Sequence, residues 1–175
     1  DPMRSFTSDD TETSVALVGA PNAGKSALFK RLTEEYVDVS NYPGTTLKTT
    51  SVTVGSTELT DTPGINGVSS FSEEERVTRE VILDADAVIN VVDATQLDRD
   101  LFLTLQLLDM GVPTVVALNM MDEVAADNLE LDIDALETAL GVPVIPTVAI
   151  TGSGVDELQN RLSEASAPAS TPIAS

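Results

Sequence analysis

Short apolar runs along the chain alternate with longer segments in which apolar residues recur every three or four positions. The short runs are rich in Val and Ile, as strands covered on both faces are, and they lie at 15–18, 87–92, 113–118 and 142–145. The longer segments predict helices at 23–34, 72–84, 98–110, 132–140 and 153–162. Strands that alternate with helices indicate a mostly parallel sheet with helices on both faces.

Two further segments, 47–54 and 58–61, flank a Gly-Ser-Thr tripeptide and predict a hairpin. A hairpin adds one antiparallel strand to the parallel ones. We therefore expect an α/β fold with a six-stranded, mostly parallel sheet and one antiparallel edge strand. The segment 36–46 is predicted to be a loop, because it is polar and contains Pro and Gly.

Several helix ends carry local signals. Ser72, followed three positions later by Glu75, forms a capping-box pattern that predicts the start of a helix. Gly111 and Gly141 follow two other helical segments, and glycine readily adopts the left-handed conformation that ends a helix. These residues therefore predict one helix start and two helix ends.

The composition limits the chemistry that is available. The chain has 175 residues, enough for one domain with its own core, and it contains no Cys and no His. Disulfides, thiol or imidazole nucleophiles and zinc sites built from those ligands are therefore excluded. A bound metal ion must use oxygen ligands, which favours Mg²⁺ or a similar hard cation.

The charge of the chain is strongly negative. Its 29 acidic and nine basic residues give a net charge of −20, and the acids are spread along the sequence. Such a surface repels nucleic acids and anionic lipid headgroups, so we expect no nucleic-acid partner. The acids indicate either a well-solvated surface or adaptation to high salt, which screens their mutual repulsion. We favour a halophilic source.

Residues 13–163 are predicted to form the folded domain. Residues 1–12 are interpreted as a cloning remnant, beginning Asp-Pro-Met, and a flexible N-terminus. Residues 164–175 are rich in Ser, Ala, Pro and Thr and predict a linker or tail, after which we expect a further segment in the parent gene. No apolar run approaches the roughly 18 residues that a membrane helix needs.

Residues 19–26, Gly-Ala-Pro-Asn-Ala-Gly-Lys-Ser, match the phosphate-loop pattern between a predicted strand and a predicted helix. Its glycines let backbone N–H groups turn toward phosphate oxygens, whose charge the helix N-terminus favours. Lys25 would reach the β- and γ-phosphates, and Ser26 would hold Mg²⁺. The predicted nucleotide contacts here are Asn22, Ala23, Gly24, Lys25, Ser26 and Ala27.

The tetrapeptide 61–64, Asp-Thr-Pro-Gly, ends a predicted strand downstream of the phosphate loop. On its own it is also a good turn sequence. In this position Asp61 can bind Mg²⁺ through water, and the N–H of Gly64 can contact a γ-phosphate. The preceding loop offers Thr45 or Thr46 as a further Mg²⁺ ligand, and we favour Thr46.

Residues 119–122, Asn-Met-Met-Asp, follow a predicted buried strand. The carboxylate of Asp122 can accept from both the N1–H and the exocyclic amine of guanine, a donor pair that adenine lacks, so it would select guanine. Asn119 would tie its loop to the phosphate loop. Backbone N–H groups near residue 149, especially that of Ala149, are predicted to contact the guanine oxygen. The other predicted base contacts are Met120, Val148 and Ile150.

In this order the motifs are those of a GTPase domain, and longer stretches resemble the G domain of ferrous iron transport protein B. The stretches are VVDAT at 91–95, LFLTLQLL at 101–108, VVALNMMDE at 115–123 and PVIPTVA at 143–149. NYPGTT at 41–46 resembles the first switch of that family, and SEEERVTRE at 72–80 resembles the second. Met120, where most GTPases carry Lys, is typical of the family. The resemblance covers roughly residues 13–163.

The resemblance implies a P-loop GTPase (G domain) fold that binds GTP or GDP with Mg²⁺. In that family the domain is cytosolic, at the cytoplasmic face of the cell membrane, and GTP binding and slow hydrolysis regulate or drive iron(II) uptake. The implied partners are guanine nucleotide and helical and membrane domains that this chain lacks. We expect no direct iron binding here, since His and Cys are absent. Thr62 departs from the family, which usually carries Leu there.

Hydrolysis is expected to be slow. Ile65 follows Gly64, where Ras-like GTPases place a water-orienting Gln, and an aliphatic side chain cannot polarise water. In relatives that use K⁺, an Asn of the phosphate loop helps to coordinate that ion, so the resemblance implies a K⁺ site at Asn22. The alternative is that Asn22 only stabilises the turn. Asn22, Lys25, Thr46 and Gly64 are the predicted catalytic residues.

Two other interpretations remain open. A soluble GTPase of the Era-like group, such as a ribosome-assembly factor, would carry the same ordered motifs. It would also need a basic RNA-binding surface, which a net charge of −20 opposes. A nucleotide-binding switch with negligible hydrolysis would fit Ile65, and a single-turnover rate separates it from a GTPase.

Overall fold

The computed structural model describes residues 13–33, 38–68 and 72–166, so the predicted N-terminal segment 1–12 lies outside it. The strands are β1 (Thr13–Gly19), β2 (Asp38–Asn41), β3 (Lys48–Val54), β4 (Thr57–Asp61), β5 (Ala87–Asp93), β6 (Thr114–Asn119) and β7 (Val144–Pro146). The helices are α1 (Lys25–Thr33), α2 (Glu73–Asp84), α3 (Leu97–Asp109), α4 (Met121–Ala126), α5 (Ile133–Leu140) and α6 (Val155–Ser166). A 3₁₀ turn, Ala94–Gln96, precedes α3.

The strands form one sheet in the order β2-β3-β4-β1-β5-β6-β7. Strand β1 pairs in parallel with both β4 and β5, and β5-β6-β7 continue in parallel. Strand β3 is antiparallel to both of its neighbours. The mostly parallel sheet and the hairpin predicted from the sequence are therefore confirmed.

The described residues form seven strands, whereas the sequence predicted six. The additional strand is β2, which lies within the predicted loop 36–46 and pairs with β3 from Asp38↔Ser51 to Asn41↔Lys48. Its sequence, Asp-Val-Ser-Asn, has a single apolar residue, so no hydrophobic alternation marks it. Backbone pairing with the otherwise free edge of β3 defines this strand, and β2 rather than β3 is the edge strand.

The predicted helix ends agree with the structure. Ser72 Oγ accepts from the Glu75 N–H at 3.0 Å, ahead of α2. Gly141 ends α5 in the left-handed conformation, with φ of 77°. Helix α6 continues to Ser166, so residues 164–166 of the predicted linker are helical, and residues 167–175 lie outside the described part.

Helix α4 was not predicted. It has only six residues, and its N-cap, Met120, is left-handed with φ of 68°. So short a helix, between a strand end and a polar segment, shows no helical repeat of apolar residues. It places Asp122 in its first turn.

Alternate residues of β1 point into two separate cores. Val15 and Leu17 pack in the cluster that includes Leu28 of α1 and Leu158 of α6. On the other face, Ala16 and Val18 pack with buried residues of α2 and α3, namely Ile82, Leu103 and Leu107. Because both faces of the strand are covered, its sequence is continuously apolar. Among the described helices, none combines the length and the apolar character needed to cross a membrane.

Candidate functional site

The loops that carry the sequence motifs follow the carboxyl ends of β1, β4, β6 and β7. These four strands belong to the parallel part of the sheet, so their carboxyl ends lie along one edge. In open α/β sheets, ligands bind at this edge. The fold thus brings together segments that lie far apart in the sequence.

The phosphate loop joins β1 to α1 and requires glycine at two positions. Gly24 has φ of 93°, and a Cβ atom there would overlap Asn119 Nδ2. A Cβ atom on Gly19 would lie 2.7 Å from the carbonyl oxygen of Val91. Asn22 is exposed, as is Ser26 in the first turn of α1, so both side chains are accessible at the site edge.

Lys25, the basic residue of this loop, is buried, with 7% of its surface exposed. Its Nζ donates to Asp61 Oδ1 at 2.6 Å and to the Thr62 carbonyl oxygen at 2.5 Å. These bonds connect the start of α1 to the end of β4. The predicted phosphate-binding cation and a predicted metal ligand are therefore in direct contact.

Asp61 is a partly buried carboxylate. Burial raises the pKa of Asp61 above its ordinary value, and this effect exceeds the opposing one of the Lys25 charge and hydrogen bond. Lys25 therefore offsets only part of the cost of removing the carboxylate from water. A further positive charge or hydrogen-bond donor at Asp61 would favour its ionised form.

The segment after β4 lies directly against the phosphate loop. A Cβ atom on Gly64 would lie 2.7 Å from Pro21 Cα, and the Ile65 N–H donates to the Gly19 carbonyl oxygen at 3.0 Å. Thr62 is buried, and its hydroxyl donates to the Leu17 carbonyl oxygen at 2.8 Å. The hydroxyl of Thr62 is therefore satisfied inside the protein.

Ile65 is part of the protein core. Only 3% of its surface is exposed, and it belongs to the cluster that contains Val18, Val68 and Ile82. Its side chain is therefore packed among apolar groups and is not displayed at the phosphate loop.

Asn119, at the end of β6, joins two loops. Its Nδ2 donates to the Ala23 carbonyl oxygen at 3.0 Å, so the predicted tie to the phosphate loop is confirmed. Its Oδ1 accepts from Thr147 Oγ1 at 3.1 Å and from the Ala149 N–H at 2.9 Å. The side chain is buried, and its two polar atoms are both used.

A shallow pocket of about 50 Å³ lies beside these contacts. Its lining includes Gly24, Ala27, Asn119, Met120, Asp122, Val148, Ala149 and Ile150. Asp122 is exposed and belongs to the first turn of α4. The structure therefore brings the predicted base-contacting residues to one pocket next to the phosphate loop.

The Ala149 N–H donates to Asn119 Oδ1, and its predicted contact with the guanine oxygen stays a prediction. A turn closed by bonds from Val148 N–H to the Ser153 oxygen and from Thr151 N–H to the Val148 oxygen sets this orientation. The next amide, that of Ile150, has no hydrogen-bond acceptor within the described part of the chain.

The two threonines of the loop before β3 differ in their surroundings. Thr45 Oγ1 donates to the Tyr42 carbonyl oxygen at 3.0 Å and accepts from the Leu47 N–H at 3.1 Å. Thr46 is exposed. Within the described residues, no hydrogen bond joins Thr46 to Ser26 or Asp61, and its role as a Mg²⁺ ligand stays a prediction.

Two site residues were missed in the sequence. Arg31 of α1 donates from Nε to the Ala149 carbonyl oxygen at 3.0 Å and from Nη2 to the Ile150 carbonyl oxygen at 2.6 Å. Gln106 of α3 accepts a hydrogen bond from the Val68 N–H through its Oε1 at 2.8 Å. Val68 lies in the segment that follows β4. No local signal marks either residue, because the partners of Arg31 are 118 and 119 positions away.

The sheet order, the phosphate loop and the segments around Asp61 and Asn119 define a P-loop GTPase fold, that of a G domain. The family model described as ferrous iron transport protein B matches residues 13–162. The chain belongs to this family.

Individual relatives agree with this assignment. The chain is 41% identical over 155 residues to the Fe(2+) transporter FeoB of Escherichia coli strain K12, covering 83% of this chain and 20% of that protein. A crystal structure of an S. thermophilus NFeoB mutant bound to mGDP superposes with a TM-score of 0.89 at 38% identity, covering 94% of this chain and 65% of that one. The FeoB G-domain from Methanococcus jannaschii gives 0.75 at 37% identity, covering 88% and 97%.

The chain spans about one fifth of the length of the curated relatives that it matches. By contrast, it covers nearly all of the separately solved M. jannaschii G-domain. The similarity therefore concerns the G domain and not the rest of the transporter.

Proposed function

We propose that this domain binds guanine nucleotides with Mg²⁺ and hydrolyses GTP slowly. We further propose that this activity regulates or drives iron(II) uptake by a membrane transporter, of which the domain is a cytosolic part. The observation that carries the proposal is the set of hydrogen bonds made by Asn119. One buried side chain ties the phosphate loop at Ala23 to the segment at Ala149, so that phosphate and base contacts form a single site.

Lys25 supplies the positive charge for the phosphates. Its Nζ lies at the junction of the phosphate loop and β4, where it donates to Asp61 and Thr62. When GTP binds, Lys25 would donate to the β- and γ-phosphates, and the backbone N–H groups from Asn22 to Ala27 would surround the phosphate oxygens. Gly64 lies against Pro21 of this loop, and its N–H would contact the γ-phosphate.

The oxygen donors at this edge suit Mg²⁺. Ser26 offers a hydroxyl in the first turn of α1, and Asp61 offers a carboxylate whose raised pKa reflects incomplete compensation of its charge. Thr46 is a better third ligand than Thr45, because the Thr45 hydroxyl is used within its own loop. Mg²⁺ would neutralise charge on the phosphate oxygens when bound.

Guanine selection is assigned to Asp122. Its carboxylate is exposed at a pocket whose other walls are Gly24, Asn119 and the segment 148–150. Guanine presents two donors to a carboxylate, and adenine does not. An adenine nucleotide would leave this carboxylate facing a ring nitrogen acceptor, which disfavours its binding.

Slow hydrolysis follows from the burial of Ile65, since no side chain at that position can orient the attacking water. We assign K⁺ assistance to Asn22, whose exposed amide in the phosphate loop can offer an oxygen ligand. The same burial favours a second candidate function, a nucleotide-dependent switch with negligible intrinsic hydrolysis. The family assignment favours slow GTP hydrolysis and the nucleotide-dependent switch over an Era-like ribosome-assembly factor.

Nucleotide binding provides the first test. In Mg²⁺ and high KCl, we expect the protein to bind GDP at least about 100-fold more tightly than ADP, and Asp122→Ala to remove most of that preference. Asp127→Ala, an exposed acidic residue just after α4, is the matched control and should change nothing. Equal affinities for GDP and ADP in the unmodified protein would refute the proposal.

A further inference from the structure

Arg31 holds the segment after β7 by two consecutive carbonyl groups. Its Nε donates to the Ala149 oxygen at 3.0 Å, and its Nη2 donates to the Ile150 oxygen at 2.6 Å. Its guanidinium also lies against Gly152, where a Cβ atom would approach Nη1 to 3.5 Å. A planar fork of donors on two neighbouring acceptors fixes the orientation of the backbone between them.

The position of Arg31 on α1 connects this contact to the nucleotide pocket. Ala27 lies one turn earlier on the same helix face and lines that pocket. Lys25 and Ser26 begin the same helix. Arg31 therefore links the segment at Ala149 and Ile150 to the helix that carries the phosphate-binding residues.

The contact also sets the direction of one backbone amide. In a trans peptide the carbonyl and the N–H point in opposite directions, and the structure has no cis peptide bond among its described residues. Since the Ala149 carbonyl points to Arg31, the Ile150 N–H points away from it. That N–H has no acceptor in the described part of the chain, whereas the Ala149 N–H is used by Asn119.

We infer that Arg31 is a positioning residue for guanine recognition, which aims the Ile150 N–H at the 6-oxygen of the base by holding the carbonyls of Ala149 and Ile150. This inference rests on the proposed guanine-nucleotide binding and adds to it the residue that sets recognition of the 6-oxygen. Asp122 reads the other side of the base, its N1–H and exocyclic amine. The two contacts are therefore separable by changing the base.

The test compares GDP with 6-thioguanosine diphosphate, whose base keeps the N1–H and the exocyclic amine and carries a weakly accepting sulfur in place of the 6-oxygen. We expect Arg31→Ala to weaken GDP binding about tenfold, as the loss of one well-aligned hydrogen bond does, and to leave the binding of 6-thioguanosine diphosphate nearly unchanged. Arg31→Lys keeps the charge without the fork, so it should weaken GDP binding by less, about threefold. Lys30→Ala removes an equal charge from the neighbouring exposed position and should change neither affinity.

Each outcome decides the inference. A loss confined to GDP supports it, and melting curves in the same buffer check that the variants are folded. Equal losses for both nucleotides, or no loss for GDP, would overturn it, because Arg31 would then only stabilise the loop or contribute nothing. If Arg31→Ala does not fold, the same comparison with Arg31→Lys decides. Failure of the unmodified protein to bind GDP would overturn the proposed function and this inference with it.

Discussion

Asn119 and Asp122 lie three positions apart, yet their side chains differ in burial and in hydrogen bonding. Asn119 is buried and exchanges three hydrogen bonds with Ala23, Thr147 and Ala149. Asp122 is exposed at the pocket. A buried side chain with three hydrogen bonds contributes to folding stability, whereas an exposed carboxylate contributes little to it.

Substitution of Asn119 by Ala should therefore destabilise the protein. It leaves the Ala23 carbonyl, the Thr147 hydroxyl and the Ala149 N–H without their partner, which should lower the free energy of unfolding by about 2–4 kcal/mol. Urea unfolding monitored by circular dichroism measures this change. Asp122→Ala should alter it by less than about 0.5 kcal/mol. Comparable losses in both variants would contradict the division of roles.

Gly24 should be intolerant of any side chain. Gly24→Ala places a methyl group against the Asn119 amide and forces a φ of 93° on a residue with a Cβ atom. We expect a loss of at least about 2 kcal/mol in unfolding free energy together with loss of GDP binding. Gly44→Ala is the control for φ alone, since Gly44 has φ of 81° and no atom near its Cβ position. It should cost about 1 kcal/mol and leave GDP bound.

At the scale of elements, α3 anchors the segment that follows β4. Gln106 accepts the Val68 N–H, and Leu103 and Leu107 pack in the same cluster as Ile65 and Val68. The segment therefore has fixed contacts at both ends, with the phosphate loop at Gly64 and with α3 at Val68. Movement of this segment on nucleotide exchange would require the contact with Gln106 to break or to move with it.

Gln106→Ala should loosen this segment without unfolding the domain. We expect amide hydrogen exchange at Val68 to become about tenfold faster, because its acceptor is lost, and the unfolding free energy to fall by about 1 kcal/mol. Leu105→Ala, at an exposed position on the same helix, should leave the exchange unchanged. Unaltered exchange in Gln106→Ala would show that the hydrogen bond does not hold the segment.

Local signals predicted much of this architecture. Continuous Val and Ile runs identified the parallel strands, and Ser72 and Gly141 identified helix ends, because those effects act within a few residues. Strand β2 and helix α4 escaped prediction because tertiary contacts rather than periodicity define them. The same holds at the site. The phosphate loop and Asp122 belong to motifs that the sequence shows directly. The roles of Arg31 and Gln106 depend instead on partners that are distant in sequence.

The net charge of −20 affects the stability of the whole molecule. Repulsion among surface carboxylates destabilises the folded state at low ionic strength, and salt shortens its range from about 10 Å at 0.1 M to about 3 Å at 1 M. The urea midpoint should therefore rise as salt increases from 0.1 to about 2 M, equally in KCl and NaCl. The triple variant Asp109→Asn, Asp127→Asn, Glu130→Gln removes three exposed charges and should show a weaker dependence. A midpoint independent of salt would refute the halophilic interpretation.

We propose that this domain hydrolyses GTP slowly, with assistance from K⁺ at Asn22. Single-turnover hydrolysis of GTP, measured in KCl and in NaCl at matched high ionic strength, tests it most directly. We expect measurable phosphate release that is at least about tenfold faster in KCl, and a loss of that difference in Asn22→Ala. Equal rates in the two salts would remove the K⁺ site. Phosphate release no faster than that of free GTP in either salt would show that the domain does not hydrolyse GTP and is a nucleotide-dependent switch.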